Sequence, residues 1–78
     1  MNKERRKALS TISAQLESLK DELQAVHDEE DEAKSNLPDS LQEGEKGQAM
    51  DDAISAMSSA IDAIDEAVSQ IGTATGEV

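Results

Sequence analysis

The side chains that could do chemistry are few, and their spacing narrows the chemistry further. His27 is the only histidine. Asp31 follows one helical turn later, so the two could hold a metal ion weakly. A lone histidine among acids on a helix surface reads more simply as solvated. The stretch from Asp28 to Asp39 is rich in carboxylates. It lacks the glycine and the ligand spacing of a calcium loop. With no cysteine, thiolate metal ligands and disulfides are excluded. No GxSxG, HExxH or P-loop pattern occurs. A catalytic centre also needs a concave, dry site. The expectation is a non-enzymatic chain with no cofactor and no metal.

The elements that would position any functional residue are helices. In the first half, apolar residues fall at Leu9, Ile12, Leu16, Leu19, Leu23, Val26 and Ala33, with Glu30 in the one skipped place. This alternation of three and four is the seam of a coiled coil. Met50, Ile54, Met57, Ile61, Ile64, Val68 and Ile71 repeat it without a gap. Pro38 pushes Leu37 out of the α region and ends the first helix. Ser40 and Glu43 have the spacing of a capping box. Gly44 and Gly47 weaken the next turns or delay the second helix to Gln48.

The sequence therefore predicts one domain over residues 1–78, an all-α antiparallel two-helix hairpin of coiled-coil type. The first helix is expected over 3–35, about 50 Å at 1.5 Å per residue. The turn is expected over 36–47, and the second helix from 48, or from about 40, to 71. Residues 72–78 are expected to fray behind Gly72. The expected register sets Leu9 against Ile71, Leu23 against Met57 and Ala33 against Gly47.

Composition points to self-association. A chain of 78 residues buries only a modest share of its surface and is marginal alone. It has no Phe, Tyr or Trp, so any core is aliphatic. Alongside the main stripe of the second helix run Ala49, Ala53, Ala56, Ala60, Ala63 and Ala67. That makes an apolar face wider than one neighbour can cover. The expectation is a homo-oligomeric helical bundle, a dimer of hairpins, with Ala53, Ala56, Ala60, Ala63 and Ala67 at the interface.

The net charge of −11 repels nucleic acid and anionic membranes and favours basic partners. No apolar run approaches the roughly 18 residues of a membrane span. Met1 leads into a charged stretch and not into an apolar signal segment, so a cytoplasmic setting is expected. Charge is also distributed against the dipole of the first helix. Lys3, Arg5, Arg6 and Lys7 crowd its positive end, and Asp28, Glu29, Glu30, Asp31 and Glu32 its negative end. Two copies packed antiparallel would bring the basic end, Arg5, Arg6 and Lys7, to the acidic block of the partner.

Glu30 occupies a core-facing position, where a carboxylate is costly unless paired. Lys34, four residues on, is its expected partner. The functional alternative is a polar pocket at the turn. Glu30, Asn36, Pro38, Ser40, Gln42 and Gly47 would line it, with the glycine leaving room for a ligand or a partner side chain.

The stretch Glu29-Glu30-Asp31-Glu32-Ala33, then Asn36-Leu37-Pro38-Asp39-Ser40-Leu41-Gln42, then Gly47, Met50 and Ala53-Ile54 resembles small helical-hairpin proteins of bacterial phages, prophages and mobile elements. The resemblance covers most of the chain, and its specific part is the turn. It implies a host-cell setting and a role as an inhibitor of host machinery or host defence. The first functional expectation is a phage-type interaction protein that binds and blocks or sequesters a host protein through a basic surface. The alternatives are a sponge for a nucleotide immune signal, held between the turn and the basic end of a neighbouring subunit, and a structural scaffold or assembly chaperone.

Overall fold

The computed structural model describes residues 1–76, all helical apart from caps and turns. Helix α1 spans Lys3–Ser35, the short α2 Asp39–Gln42 and α3 Glu45–Thr75. α1 and α3 pack side by side in a rod of 58 × 15 × 15 Å. No described helix is long and apolar enough to cross a membrane.

Local chemistry explains each boundary. Asn2 caps α1: its side-chain oxygen accepts the Arg5 N–H at 2.8 Å, satisfying one of the free donors of the first turn. At the other end, the N–H of Asn36 bonds the Glu32 carbonyl and that of Leu37 the Lys34 carbonyl. Pro38 then cannot continue the helix and starts α2 instead. The Ser40–Glu43 capping box does not form, because Ser40 lies inside α2 and Glu43 closes it. Gly44, with extended backbone, opens α3.

α3 begins between the two expected starts and ends later than the sequence suggests. It starts at Glu45 and runs through Gly72 to Thr75. Thr75 is buried, and its hydroxyl donates to the Gly72 carbonyl at 3.0 Å. Gly76 takes the left-handed conformation, φ 76°, and its N–H closes the last turn on Gly72 and Thr73. Gly76 is thus the terminating glycine that Gly72 was expected to be. The rest of the expected frayed tail, residues 77–78, lies outside the described residues.

The register is fixed by three polar bridges between the helices. Lys20 Nζ donates to Asp65 at 2.8 Å, His27 Nε2 meets Ser58 Oγ at 3.0 Å, and Lys34 Nζ donates to Asp51. They recur every seven residues on both helices, so the pairing is antiparallel and regular. It is displaced from the expected register by about one and a half helical turns. Gly47 does not face Ala33; it packs against Gln42 of α2, which occupies that space.

The seam is also rotated. On α1 the half-buried residues are Leu9, Ser13, Leu16, Lys20, Leu23, His27, Glu30 and Lys34. Three of the seven residues of the expected stripe, Leu9, Leu16 and Leu23, face α3. The other four stay out: Ala33 is exposed, and Ile12, Leu19 and Val26 are 44%, 54% and 53% exposed. On α3, Met50, Ile54, Met57, Ile61, Ile64, Val68 and Ile71 are half-buried. No apolar side chain is fully buried among the described residues.

Candidate functional site

At the turn, the Gln42 side chain is occupied by the backbone. The Gln42 amide donates to the Leu37 carbonyl at 2.8 Å and to the Ser35 carbonyl at 3.4 Å. It thereby satisfies acceptors left free where α1 ends. The space beside Gly47 is filled by the main chain of Gln42, whose carbonyl oxygen would overlap any Cβ placed there. Asn36 caps α1, Pro38 opens α2 and Ser40 lies exposed within it. Glu30 is half-buried on the seam, a turn and a half before Asn36. Its expected neighbour Lys34 instead reaches across to Asp51. The longer lysine stem brings that cation to the α3 acid while its methylenes stay against the seam.

At the open end, Arg5, Arg6 and Lys7 are exposed, and none makes an ion pair among the described residues. Of the interface alanines, Ala53 and Ala67 are half-buried and Ala56, Ala60 and Ala63 are exposed. They lie on the flank of α3 away from Asp51, Ser58 and Asp65.

The constellation that the sequence reading passed over is centred on His27. Its ring lies in the seam, with the side chain 18% exposed. Nε2 faces Ser58 Oγ at 3.0 Å, and Nδ1 faces Asp28 Oδ1 at 3.1 Å. Gln24 bonds the same Asp28 oxygen at 2.9 Å. The hydrogen bond from His27 first, and that from Gln24 second, hold the Asp28 carboxyl below the usual range. With both ring nitrogens engaged, the pairing of His27 with Asp31 is not formed. In one tautomer the order hydroxyl, imidazole, carboxylate is that of a nucleophile, its base and an orienting acid. Acyl transfer further requires donors aimed at a developing oxyanion. The backbone N–H groups around Ser58 and His27 are taken up inside helices, and the triplet forms a polar rung of the seam.

The other two rungs are ion pairs. Hydrogen bonding to Asp65, reinforced by its charge, raises the Lys20 ammonium above the usual lysine range. Lys20, His27 and Lys34 repeat every seven residues and are answered by Asp65, Ser58 and Asp51 at the same interval. That matched heptad was the sequence signal for the observed seam. Among the described residues no group of three or more His, Asp or Glu is placed to hold a metal.

The hairpin therefore has two unlike edges. One carries the three polar rungs. The other carries Ile12, Leu19 and Val26 of α1 beside Met57, Ile64 and Ile71 of α3, with the alanines further round. No protein-family model matches the chain, and no curated protein or solved structure shows significant similarity to it.

Proposed function

We propose that this chain is a non-enzymatic interaction protein of the phage type, a self-associating hairpin that binds and blocks or sequesters a host component through a basic surface. The observation that carries the reading is the distribution of charge. Glu17, Asp21 and Glu22 of α1 and Asp52, Asp62 and Glu66 of α3 are all exposed, and none of them pairs with a cation among the described residues. Carboxylates spread along a rod 58 Å long make an extended anionic surface. Such a surface attracts a cationic groove over a long front and raises the rate of encounter. A nucleic-acid channel in a host nuclease has that chemistry. The resemblance of the turn to phage and prophage proteins supplies the setting.

The test is affinity capture from host lysate, with mass spectrometry on retained proteins and small molecules. The expected result is a basic host protein, released by salt. It should also be lost when Asp21 and Asp62 are replaced by asparagine at unchanged helicity. Retention of a nucleotide without any protein would replace this reading with that of a sponge.

A further inference from the structure

We infer that the uncovered edge of the hairpin is the seat of a second copy, packed so that each α1 runs antiparallel to the α1 of its partner. This rests on the self-association proposed above and adds the face and the symmetry. The first observation is area. The chain exposes 5560 Å². A compact monomer of 8.3 kDa exposes about 4,600 Å². The surplus, about 1,000 Å², is close to the roughly 800 Å² that each partner contributes to a stable interface. Three of the five exposed large apolar side chains, Ile12, Leu19 and Val26, lie on one edge, and the other two, Met1 and Leu41, lie before α1 and in α2.

The second observation is charge, and it selects between two arrangements. Two hairpins stacked edge to edge about a two-fold axis can be related in two ways. An axis along the helices lays α1 over the partner's α3 and sets the acidic blocks of the two copies side by side. An axis across the helices lays α1 over α1, reversed. Lys3, Arg5, Arg6 and Lys7 then come to the partner's Asp28–Glu32 block and turn. Within one chain the two blocks stand about 38 Å apart along α1, too far to meet. Apart from Asp28, which contacts His27, neither block has an ion-pair partner among the described residues. A reversed copy neutralises both blocks twice over. The crossing point lies at Leu19, so Ile12 packs against the partner's Val26 and Lys7 comes level with the partner's Asp31.

The chain has no native cysteine, so single labels report cleanly. Spin labels on Ala8→Cys, an exposed position, measure the arrangement directly. We expect a dimer in sedimentation equilibrium at micromolar concentration. Label separations should exceed about 30 Å, from 1.5 Å of rise per residue. Leu19→Asp should weaken the dimer at least tenfold, and Ser59→Asp, at an exposed site, should not. Raising salt should loosen the dimer. A dimer with Ala8 labels within about 20 Å, the width of neighbouring helices, would overturn this arrangement and leave self-association standing. A folded monomer would overturn both. If Leu19→Asp unfolds the chain, the Ala8 distances still decide.

Discussion

Gly47 of α3 lies so closely against the end of α2 that a Cβ there would overlap the carbonyl oxygen of Gln42. The contact sets how closely α2 folds back against the start of α3. Intrinsic propensity alone would make alanine better than glycine in a helix by about 1 kcal/mol. Here the clash is with backbone, which cannot step aside. Gly47→Ala should therefore destabilise the protein, by about 1–3 kcal/mol as overpacking does. Gly72 is the control, since nothing lies within 4 Å of its Cβ position. Gly72→Ala should stabilise by about 0.4–1 kcal/mol. Urea melts of the two variants should move in opposite directions; a shift of the same sign in both would mean that Gly47 has no special packing role.

The hairpin was legible in the sequence, but its seam was only half legible. Pro38 and the two apolar runs determine where the chain reverses. The stripe Leu9 to Val26, however, contains two candidate seams that share Leu9, Leu16 and Leu23. One adds Ile12, Leu19 and Val26; the other adds Ser13, Lys20 and His27. Hydrophobicity alone prefers the first. The structure takes the second, because Lys20, His27 and Lys34 each find a polar partner on α3 and the lysines can cover the seam with their stems. Glu30 misled for a related reason: its nearest cation in sequence, Lys34, has a better-placed acid across the seam. The turn residues read as a pocket because their types are specific. Gln42 shows that this specificity is used to bond the carbonyls of Leu37 and Ser35.

The rung between Lys34 and Asp51 should contribute little energy and much register. Their side chains are 24% and 49% exposed, so solvent screens the pair. A double-mutant cycle through Lys34→Gln and Asp51→Asn should give a coupling of about 0.2–1 kcal/mol. Exchanging the two, Lys34→Asp with Asp51→Lys, should recover most of the stability lost in either single change. Failure of the exchange to improve on the worse single variant would show that the two groups are not coupled.

Lys20 makes the stability of the hairpin sensitive to alkali. Its ammonium is raised by the hydrogen bond from Lys20 to Asp65 and by the charge of that carboxylate. A group with a raised folded-state pKa contributes fully below the ordinary lysine range, and its contribution disappears as pH rises through the raised value. The melting temperature of the native chain should thus exceed that of Lys20→Gln at neutral pH. The gap should close only at strongly alkaline pH. A gap that stays constant through the lysine titration would assign the effect to the lysine stem and not to its charge.

The rung between His27 and Ser58 distinguishes a structural pair from a reactive one. The two atoms are 3.0 Å apart in a part-buried place. Removing one partner leaves the other unsatisfied, at a cost of about 1–3 kcal/mol, whereas replacing both by apolar groups can be neutral or better. Ser58→Ala and His27→Leu should each lower the melting temperature. The double variant should be at least as stable as the worse single one, because the introduced leucine and alanine side chains extend the aliphatic seam between Leu23 and Ile61. Hydrolysis of an activated ester such as p-nitrophenyl acetate checks the other possibility. Free imidazole attacks that ester unaided, so some background is expected from any exposed histidine. With no oxyanion donor beside Ser58, the native chain should not exceed that background, and Ser58→Ala should leave the rate unchanged. A rate that falls with Ser58→Ala while His27 is retained would make the serine a nucleophile, and the polar edge would then have to be treated as a reactive surface.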